Sequence, residues 1–313
     1  MRFLFSLLIL SSTLFARDLK EIAIPRTDGT AQPAFIYELP ETPEAPAPLL
    51  VLLHTWSGDY KQKSSIGACR KECEKRGWYL IHPNFRGPNK RPEACGSDLA
   101  VADVLGAVDW MVEKYKIDTK RVYLMGTSGG GHMSLLMAGR YPKRWAGISA
   151  WVGISDLAAW HQQTKAAGRK YYLDLEKSCG GAPGTSTEVD EQYRLRSPIT
   201  WLSDAKDLPL DINVGIHDGH TGSVPVSQSL HAFNIVAKAN GQPEKAFSPE
   251  LIESMTKSRQ VPDKLLTAIQ ENRVKPVLHR RSAGPARITI FDGGHEGEVP
   301  IAIEWLAEQR KSH

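Results

Sequence analysis

A serine flanked by glycines is the strongest chemical signal in the sequence. Ser128 lies in the motif GTSGG at 126–130, between the apolar run VYLM and the helix-forming segment MSLLMAGR. A serine on a sharp turn between a strand and a helix has a strained backbone that exposes its hydroxyl, and flanking glycines leave room for the substrate. The motif therefore predicts Ser128 as the nucleophile of an acyl-transfer reaction rather than as a structural serine.

A histidine near the C-terminus can supply the base that this serine needs. A hydroxyl is a poor nucleophile until a base removes its proton. His295 lies in FDGGHEG at 291–297, between the last predicted strand and the last predicted helix, so its loop returns to the sheet edge that carries Ser128. We therefore predict His295 as the base. His132, four residues after the serine, is the weaker candidate because the outgoing helix should turn it inward.

A carboxylate must orient the histidine and stabilise its charged form. The chain order serine, aspartate, histidine points to the loop HDGHTGSVP at 217–225, where Asp218 is the only carboxylate. Asp156, at the end of the preceding strand, is the alternative acid. We favour Asp218 because an apolar strand delivers it directly, whereas Asp156 precedes the helix-like LAAW and can be explained as a helix N-cap.

Acyl transfer also needs two hydrogen-bond donors for the developing oxyanion. One should be the backbone N–H of Gly129, which follows the nucleophile. The other should come from the loop HTWSG at 54–58, where we predict the Trp56 N–H, with Thr55 in reserve. Trp56 could instead only line the pocket.

Apolar runs that alternate with helix-like segments position these residues. Continuous apolar runs bounded by turn residues predict strands buried on both faces, as in a parallel sheet. Such runs follow a predicted hairpin at 21–39 and occupy 49–53, 78–83, 122–126, 145–154, 210–216 and 286–291. Helical spacing occurs at 61–75, 98–115, 131–140, 226–239 and 299–310. This alternation predicts a mostly parallel, doubly wound α/β sheet with helices on both faces.

Two segments interrupt the alternation. Residues 157–200 predict a small cap over the carboxyl edge of the sheet. Residues 242–283 are a polar insertion with helices expected near Ser248 and Pro262. We interpret this insertion as a solvated surface excursion rather than as part of the substrate site.

The N-terminus indicates export, and export determines how the cysteines are interpreted. Residues 1–16 hold an apolar run that is too short to span a membrane and ends at Ala16, which predicts a cleaved signal peptide and a secreted or periplasmic protein; an uncleaved anchor is the alternative. In an oxidising compartment the four cysteines could form one or two disulfides. Cys69 and Cys73 lack further ligands at zinc-like spacing, so we expect neither a metal nor a cofactor.

The composition excludes several classes of protein. Of the 313 residues, 41% are hydrophobic and 24% are charged, which is typical of a globular protein and excludes collagen-like, disordered and coiled-coil chains. Lys and Arg exceed Asp and Glu by only 39 − 35 = 4. This weak excess predicts no nucleic-acid partner, and we expect no stable membrane association after signal cleavage.

Taken together, the motifs resemble the catalytic domain of prolyl oligopeptidase-like serine peptidases. The resemblance spans about 45–310 and rests on NFRG at 84–87, Asp103, GTSGGG at 126–131, YRLRSP at 193–198, VPVSQS at 224–229 and GGH at 293–295. It implies an α/β-hydrolase fold, here a single domain over 17–313, and a triad carried by Ser128, Asp218 and His295.

Three departures from the family pattern affect the predicted function. The chain has His54-Thr55-Trp56 where the family usually has an HGG-type loop, and Gly129 where an aromatic residue is common. The usual acid position falls on Thr221, so Asp218 would be a shifted acid.

We predict a secreted serine hydrolase most like a prolyl oligopeptidase-type peptidase, acting on a small-molecule or peptide substrate. The alternatives are a carboxylesterase or carbohydrate esterase of the same fold, and an inactive binding protein.

Overall fold

A computed structural model describes residues 19–311, and the predicted signal segment 1–16 lies outside this range. The described residues form one nine-stranded sheet in the order β1-β2-β4-β3-β5-β6-β7-β9-β8. The strands are β1 (Lys20–Pro25), β2 (Ala31–Tyr37), β3 (Ala47–Leu53), β4 (Tyr79–Pro83), β5 (Ile117–Thr127), β6 (Gly147–Trp151), β7 (Leu210–Gly215), β8 (Val277–Ala283) and β9 (Ala286–Phe291). The six strands from β4 to β9 in this order are parallel, while β1, β2 and β8 pair antiparallel at the two edges.

Helices cover both faces of the sheet. They are α1 (Ile66–Arg76), α2 (Asp98–Lys114), α3 (Gly129–Arg140), α4 (Leu157–Ala166), α5 (Tyr171–Cys179), α6 (Thr187–Arg196), α7 (Val226–Ala239), α8 (Pro249–Ser258) and α9 (Val299–Ala307). Helices α2, α3, α7 and α8 pack against one face, and α1 and α9 pack against the other. The predicted α/β-hydrolase architecture is therefore confirmed.

The central strands show why the apolar runs are continuous. All seven residues of β3 are buried. Leu49, Val51 and Leu53 face one core, while Leu50 and Leu52 face the other. Burying a leucine side chain contributes roughly 1.5–3 kcal/mol, so a strand between two helix layers favours apolar residues at every position.

The parallel arrangement gathers the predicted site at one edge. Strands β3, β5, β7 and β9 all end there, because parallel strands share the same carboxyl edge. The loops that follow them carry Trp56, Ser128, Asp218 and His295 respectively. Four loops that are distant in the sequence therefore converge.

A cap covers part of this edge. Helices α4, α5 and α6 lie between β6 and β7, within the predicted cap at 157–200. Side chains from the cap form a third buried cluster with residues of the site loops, among them Trp56, Cys95 and Val224. The cap is thus packed onto the loops that form the site.

Part of the segment 242–283, which was predicted to be a polar surface insertion, joins the sheet. Helix α8 begins after Ser248, whose Oγ accepts from the Leu251 N–H, as expected, but the region near Pro262 forms only a short 3-10 turn. Its last seven residues form strand β8, which pairs antiparallel with β9. An edge strand needs only one apolar face, so the sequence VLHRRSA lacks the continuous apolar run by which the parallel strands were found.

The expected disulfides are not present. All four cysteines are free thiols, and each is buried. Cys69 and Cys73 lie one turn apart on α1 and face the core, while Cys95 and Cys179 lie in the buried cluster beneath the cap. Each thiol packs as a small apolar group. Among the described residues, no helix has the length and apolar character needed to cross a membrane.

Candidate active site

Ser128 occupies the turn between β5 and α3. Its backbone has φ 60° and ψ −117°, a conformation that residues with a side chain rarely adopt. Such strain costs on the order of 1–3 kcal/mol and persists only where the surroundings enforce it. Here the Ser128 N–H donates to the Trp151 carbonyl at 2.9 Å. This strained turn places the hydroxyl at the carboxyl edge of the sheet.

Three predicted residues form a continuous hydrogen-bonded chain. His295 Nδ1 lies 2.7 Å from Asp218 Oδ2, and His295 Nε2 lies 2.8 Å from Ser128 Oγ. Because a carboxylate only accepts hydrogen bonds, Nδ1 carries the proton and Nε2 accepts from the serine hydroxyl. In this arrangement the imidazole can remove the serine proton while the carboxylate stabilises the resulting positive charge.

The loop after β7 bends so that Asp218 reaches the histidine. Asp218 is 1% exposed, and its second oxygen accepts from the N–H groups of Gly219 at 2.8 Å and Val224 at 3.1 Å. These bonds satisfy a buried carboxylate that would otherwise be costly. Gly222 lets the loop close, because an added Cβ would lie 2.2 Å from Asp218 Oδ1 and 2.3 Å from the Cβ of His295. Thr221, where the resemblance would place the acid, is exposed.

The alternative acid and base lie elsewhere. Asp156 is the N-cap of α4, and its Oδ1 accepts from the Ala159 N–H at 3.0 Å. His132 is buried and its Nε2 donates to the Arg196 carbonyl at 2.8 Å. Burial lowers the pKa of His132 to about 4. Neither side chain hydrogen-bonds to His295 or to the Ser128 hydroxyl.

The loop after β3 lies directly against Gly129. An added Cβ on Gly129 would lie 2.3 Å from the Trp56 nitrogen, so the two predicted oxyanion donors are neighbours. The Thr55 N–H already donates to Gln62 Oε1 at 3.0 Å. By contrast, the Trp56 N–H makes no hydrogen bond to any of residues 19–311. This difference favours Trp56 over Thr55 as the second donor.

Several residues that hold this loop have no role predicted from the sequence. Gln62 binds Thr55, and the Asn89 N–H donates to the Trp56 carbonyl at 2.9 Å. Phe85 stacks on His54 with ring centroids 3.8 Å apart. Phe85 belongs to the NFRG motif, so the motif was visible in the sequence although its supporting role was not.

Arg86 and Asp103, two residues on which the resemblance rests, belong to one buried ion-pair network. The Arg86 guanidinium lies 2.8 Å from Asp28 and 3.0 Å from Asp103, and Arg26 also pairs with Asp103 at 2.8 Å. Asp103 is 4% exposed, and burial raises its pKa although both arginines lower it. This network fixes the NFRG loop to α2 and to the turn between β1 and β2, and so supports the loop that carries Trp56.

A pocket of about 410 Å³ opens beside Ser128. Its walls carry hydroxyl groups on the side of α1 and an aromatic residue, Tyr171, from the cap. The residues that line it are Thr55, Trp56, Ser57, Ser64, Ser65, Thr127, Ser128, Tyr171, His295, Glu296 and Gly297. Of these, Ser57, Ser64, Ser65, Thr127, Tyr171, Glu296 and Gly297 were not identified as site residues from the sequence.

The described residues offer no metal centre. Across residues 19–311, no group of three or more His, Cys, Asp or Glu side chains could hold a metal ion. His217 and His220, which are close in sequence, instead bond separate partners. His217 Nε2 lies 2.9 Å from Asp292, and His220 Nε2 donates to the Thr256 carbonyl at 2.8 Å.

Comparison with known families gives one match over much of the chain. Residues 74–249 match the prolyl oligopeptidase family. This segment is more than half of the chain and contains Ser128, Asp218 and the whole cap. The match agrees with the resemblance found from the motifs.

Curated relatives at the sequence level are esterases by name. Feruloyl esterase B of Thermothelomyces thermophilus is 26% identical over 156 residues, which cover 47% of this chain and 53% of the relative. Acetylxylan esterase A of Aspergillus ficuum is 35% identical over 128 residues, covering 41% of this chain and 34% of the relative. The chain thus spans about half of the first relative and a third of the second.

Two solved structures with a similar fold are peptidases by name. A Pyrococcus horikoshii acylaminoacyl peptidase superposes with a TM-score of 0.57 at 18% identity, covering 71% of this chain and 35% of that one. Oligopeptidase B from Leishmania major gives a TM-score of 0.57 at 12% identity and covers 93% of this chain and 35% of that one. At these identities the likeness concerns the fold alone.

Proposed function

Because this chain belongs to the prolyl oligopeptidase family and is a serine hydrolase, we propose that it cleaves carboxylic esters of carbohydrate hydroxyls. Ser128 Oγ attacks the ester carbonyl carbon while His295 Nε2 takes the hydroxyl proton. The histidine then gives this proton to the departing sugar oxygen, and an acyl-enzyme remains on Ser128. Water activated by the same imidazole releases the carboxylic acid and restores the serine.

Asp218 and the two backbone donors complete the proposed mechanism. Asp218 Oδ2 accepts from His295 Nδ1 and stabilises the imidazolium that forms in each half-reaction. The N–H groups of Trp56 and Gly129 receive the negative charge on the former carbonyl oxygen. Fixed donors of this kind typically account for a factor of about 10²–10³ in kcat each.

The hydroxyl groups of the pocket are the observation that supports an ester of a carbohydrate. Ser57, Ser64 and Ser65 line the pocket on one side of Ser128. Ser65 is the N-cap residue of α1 but its side chain makes no cap hydrogen bond, so its hydroxyl is available to a ligand. Hydroxyl side chains both donate and accept, which suits the hydroxyls of a sugar leaving group. The names of the curated relatives agree with this substrate class.

A peptide substrate is the second candidate. The family match favours it, as does Glu296, whose carboxylate lines the pocket next to His295 and could pair with a peptide amino group. Lys275 lies 3.8 Å from this carboxylate, and the Gly294 N–H donates to it at 3.0 Å. Both contacts reduce the negative charge available for a substrate amine, so we rank the ester first.

A substrate panel tests the assignment. Wild-type protein is assayed with p-nitrophenyl acetate, methyl ferulate, acetylated xylan and peptidyl-proline amides, with Ser128→Ala as the control. We expect turnover of the esters with kcat/KM at least about a hundredfold above that of the amides. Faster cleavage of the amides would assign the enzyme as a peptidase. Absence of fluorophosphonate labelling at Ser128 would instead indicate an inactive binding protein.

We also propose that the enzyme acts outside the cytosol. The apolar run before Ala16 supports export, and acylated polysaccharides are extracellular substrates. N-terminal sequencing of protein recovered from the producing cells should give a start near Arg17. An intact Met1 would contradict cleavage.

A further inference from the structure

We propose that Asp174, on cap helix α5, is a positioning residue for the oxyanion hole and acts through the indole of Trp56. This role rests on the proposed function, because it requires that the Trp56 N–H stabilise an oxyanion. In this role the cap helps to position an oxyanion donor, in addition to forming a wall of the pocket. The sequence separates the two residues by 118 positions, so only the fold brings them together.

The side chain of Trp56 is held by the cap. Its indole Nε1–H donates to Asp174 Oδ2 at 3.3 Å. Its ring packs edge-on against Trp160 of α4, with ring centroids 4.6 Å apart. Trp56 is 3% exposed and Asp174 is half-buried, so this contact is partly shielded from water. A shielded hydrogen bond to a charged acceptor is stronger than an exposed one.

The backbone of Trp56 is held at its carbonyl, but its N–H makes no hydrogen bond to any of residues 19–311 that would fix its direction. The Asn89 N–H fixes its carbonyl at 2.9 Å, and Gly129 lies against its nitrogen and Cα. A shift of the indole that displaces the Trp56 Cα would therefore change the direction of the N–H. Oxyanion donors act only within about 2.7–3.1 Å of the developing charge, so a small change in the direction of the N–H reduces the stabilisation of the transition state.

The same helix also faces the substrate. Tyr171 is the first residue of α5, lines the pocket and stacks on Trp160 with ring centroids 5.3 Å apart. A substrate that fills the pocket thus contacts the helix that orients Trp56. An interaction that is stronger in the transition state than in the bound substrate raises kcat, whereas an interaction of equal strength in both states lowers KM. We therefore expect loss of Asp174 to lower kcat and leave KM nearly unchanged.

The test is a double-mutant cycle on Asp174 and Trp56, measured with p-nitrophenyl acetate. Asp174→Ala and Trp56→Phe each remove the same hydrogen bond, and Phe keeps an aromatic ring in the packed site. Each variant should lose about tenfold in kcat, the effect of one hydrogen bond to a charged group. The double variant should lose no more than about twofold beyond either single variant. Asp174→Asn keeps an acceptor oxygen and should recover most of the rate.

Two further measurements separate positioning from a general effect on folding. Inhibition by a boronic acid, which resembles the tetrahedral intermediate, should weaken in Asp174→Ala by the same factor as kcat. Asp190→Asn is the matched control, because Asp190 is a cap carboxylate on α6 that accepts from the Gly184 N–H and has no contact with Trp56. Its kcat and boronic acid affinity should equal those of the wild type.

The possible outcomes are distinct. Losses that multiply in the double variant, or a rise in KM with constant kcat, would overturn the role of Asp174. If Asp174→Ala does not fold, Trp56→Phe must still lose about tenfold, and adding Asp174→Asn to it must cause no further loss. Wild-type turnover of p-nitrophenyl acetate without turnover of carbohydrate esters would refute only the substrate class. A wild-type protein inert toward p-nitrophenyl acetate would overturn both proposals.

Discussion

Gly129→Ala tests the proposed oxyanion hole without changing any polar group. The substitution adds one methyl group at the first residue of α3, where the backbone conformation accepts alanine. Its carbon would lie 2.3 Å from the nitrogen of Trp56, 2.4 Å from its Cα and 2.9 Å from the carbonyl carbon of Thr55. All three neighbours are backbone atoms, so a side-chain rotation cannot relieve the contact.

The size of the effect follows from these distances. Ordinary contact begins at 3.4 Å, so Trp56 must retreat by 3.4 − 2.3 = 1.1 Å. This exceeds the range of about 0.4 Å within which an oxyanion donor acts. We therefore expect the loss of one donor, which corresponds to about 10²–10³ in kcat, or about 3–4 kcal/mol of transition-state stabilisation. Crowding should also lower the free energy of unfolding by about 1–3 kcal/mol.

The assay is kcat for p-nitrophenyl acetate, with thermal unfolding measured in parallel. Gly106→Ala is the matched control, because it lies in the interior of α2 and an added Cβ meets no atom within 4 Å. It should keep the wild-type kcat and gain up to about 1 kcal/mol in stability. A folded Gly129→Ala variant whose kcat remains within threefold of the wild type would refute the assignment of the Trp56 N–H.

Three other predictions follow from the same structure. Asp218→Asn should lose about 10⁴ in kcat, whereas Asp156→Asn should lose at most about tenfold; the reverse ranking in folded variants would transfer the role of the acid to Asp156. Burial lowers the pKa of both His82 and His132 from 6.5 to about 4, so the unfolded chain binds more protons than the folded one between these pH values. The free energy of unfolding should therefore fall by roughly 2–3 kcal/mol per imidazole between pH 7 and 4.5, as denaturant titrations would measure; constant stability would contradict this. Burial raises the pKa of all four thiols, that of Cys179 to about 11, so a thiol reagent should modify them only after denaturation. Rapid modification of the native protein would show that one of them is accessible.

The sequence predicted those features of the fold and site that need a particular residue type at neighbouring positions. Ser128 could be identified because its turn requires glycines and follows an apolar strand, and these requirements leave a local pattern. Strand β3 was found because burial on both faces demands an unbroken apolar run. His295 followed from its position after the last strand, and the structure places it within hydrogen-bond distance of Ser128.

Residues that act through long-range contacts left no such pattern. Asp174 and Gln62 are ordinary polar residues whose partners, Trp56 and Thr55, are set by the packing of separate loops. Strand β8 was missed because its sequence is half polar, as an edge strand permits.

The position of the cap in the chain constrains how this enzyme could change its substrate range. The cap enters after β6 and leaves before β7, so one contiguous stretch of chain could be exchanged without altering the loops that carry Ser128, Asp218 and His295. However, the hydrogen bond from Trp56 to the cap means that an exchanged segment must also bring an acceptor to the same place. A graft that reproduces only the pocket wall would bind its new substrate and turn it over slowly. Cap grafts that are both selective and fast should therefore carry an acidic or amide residue one turn after the residue that faces the substrate.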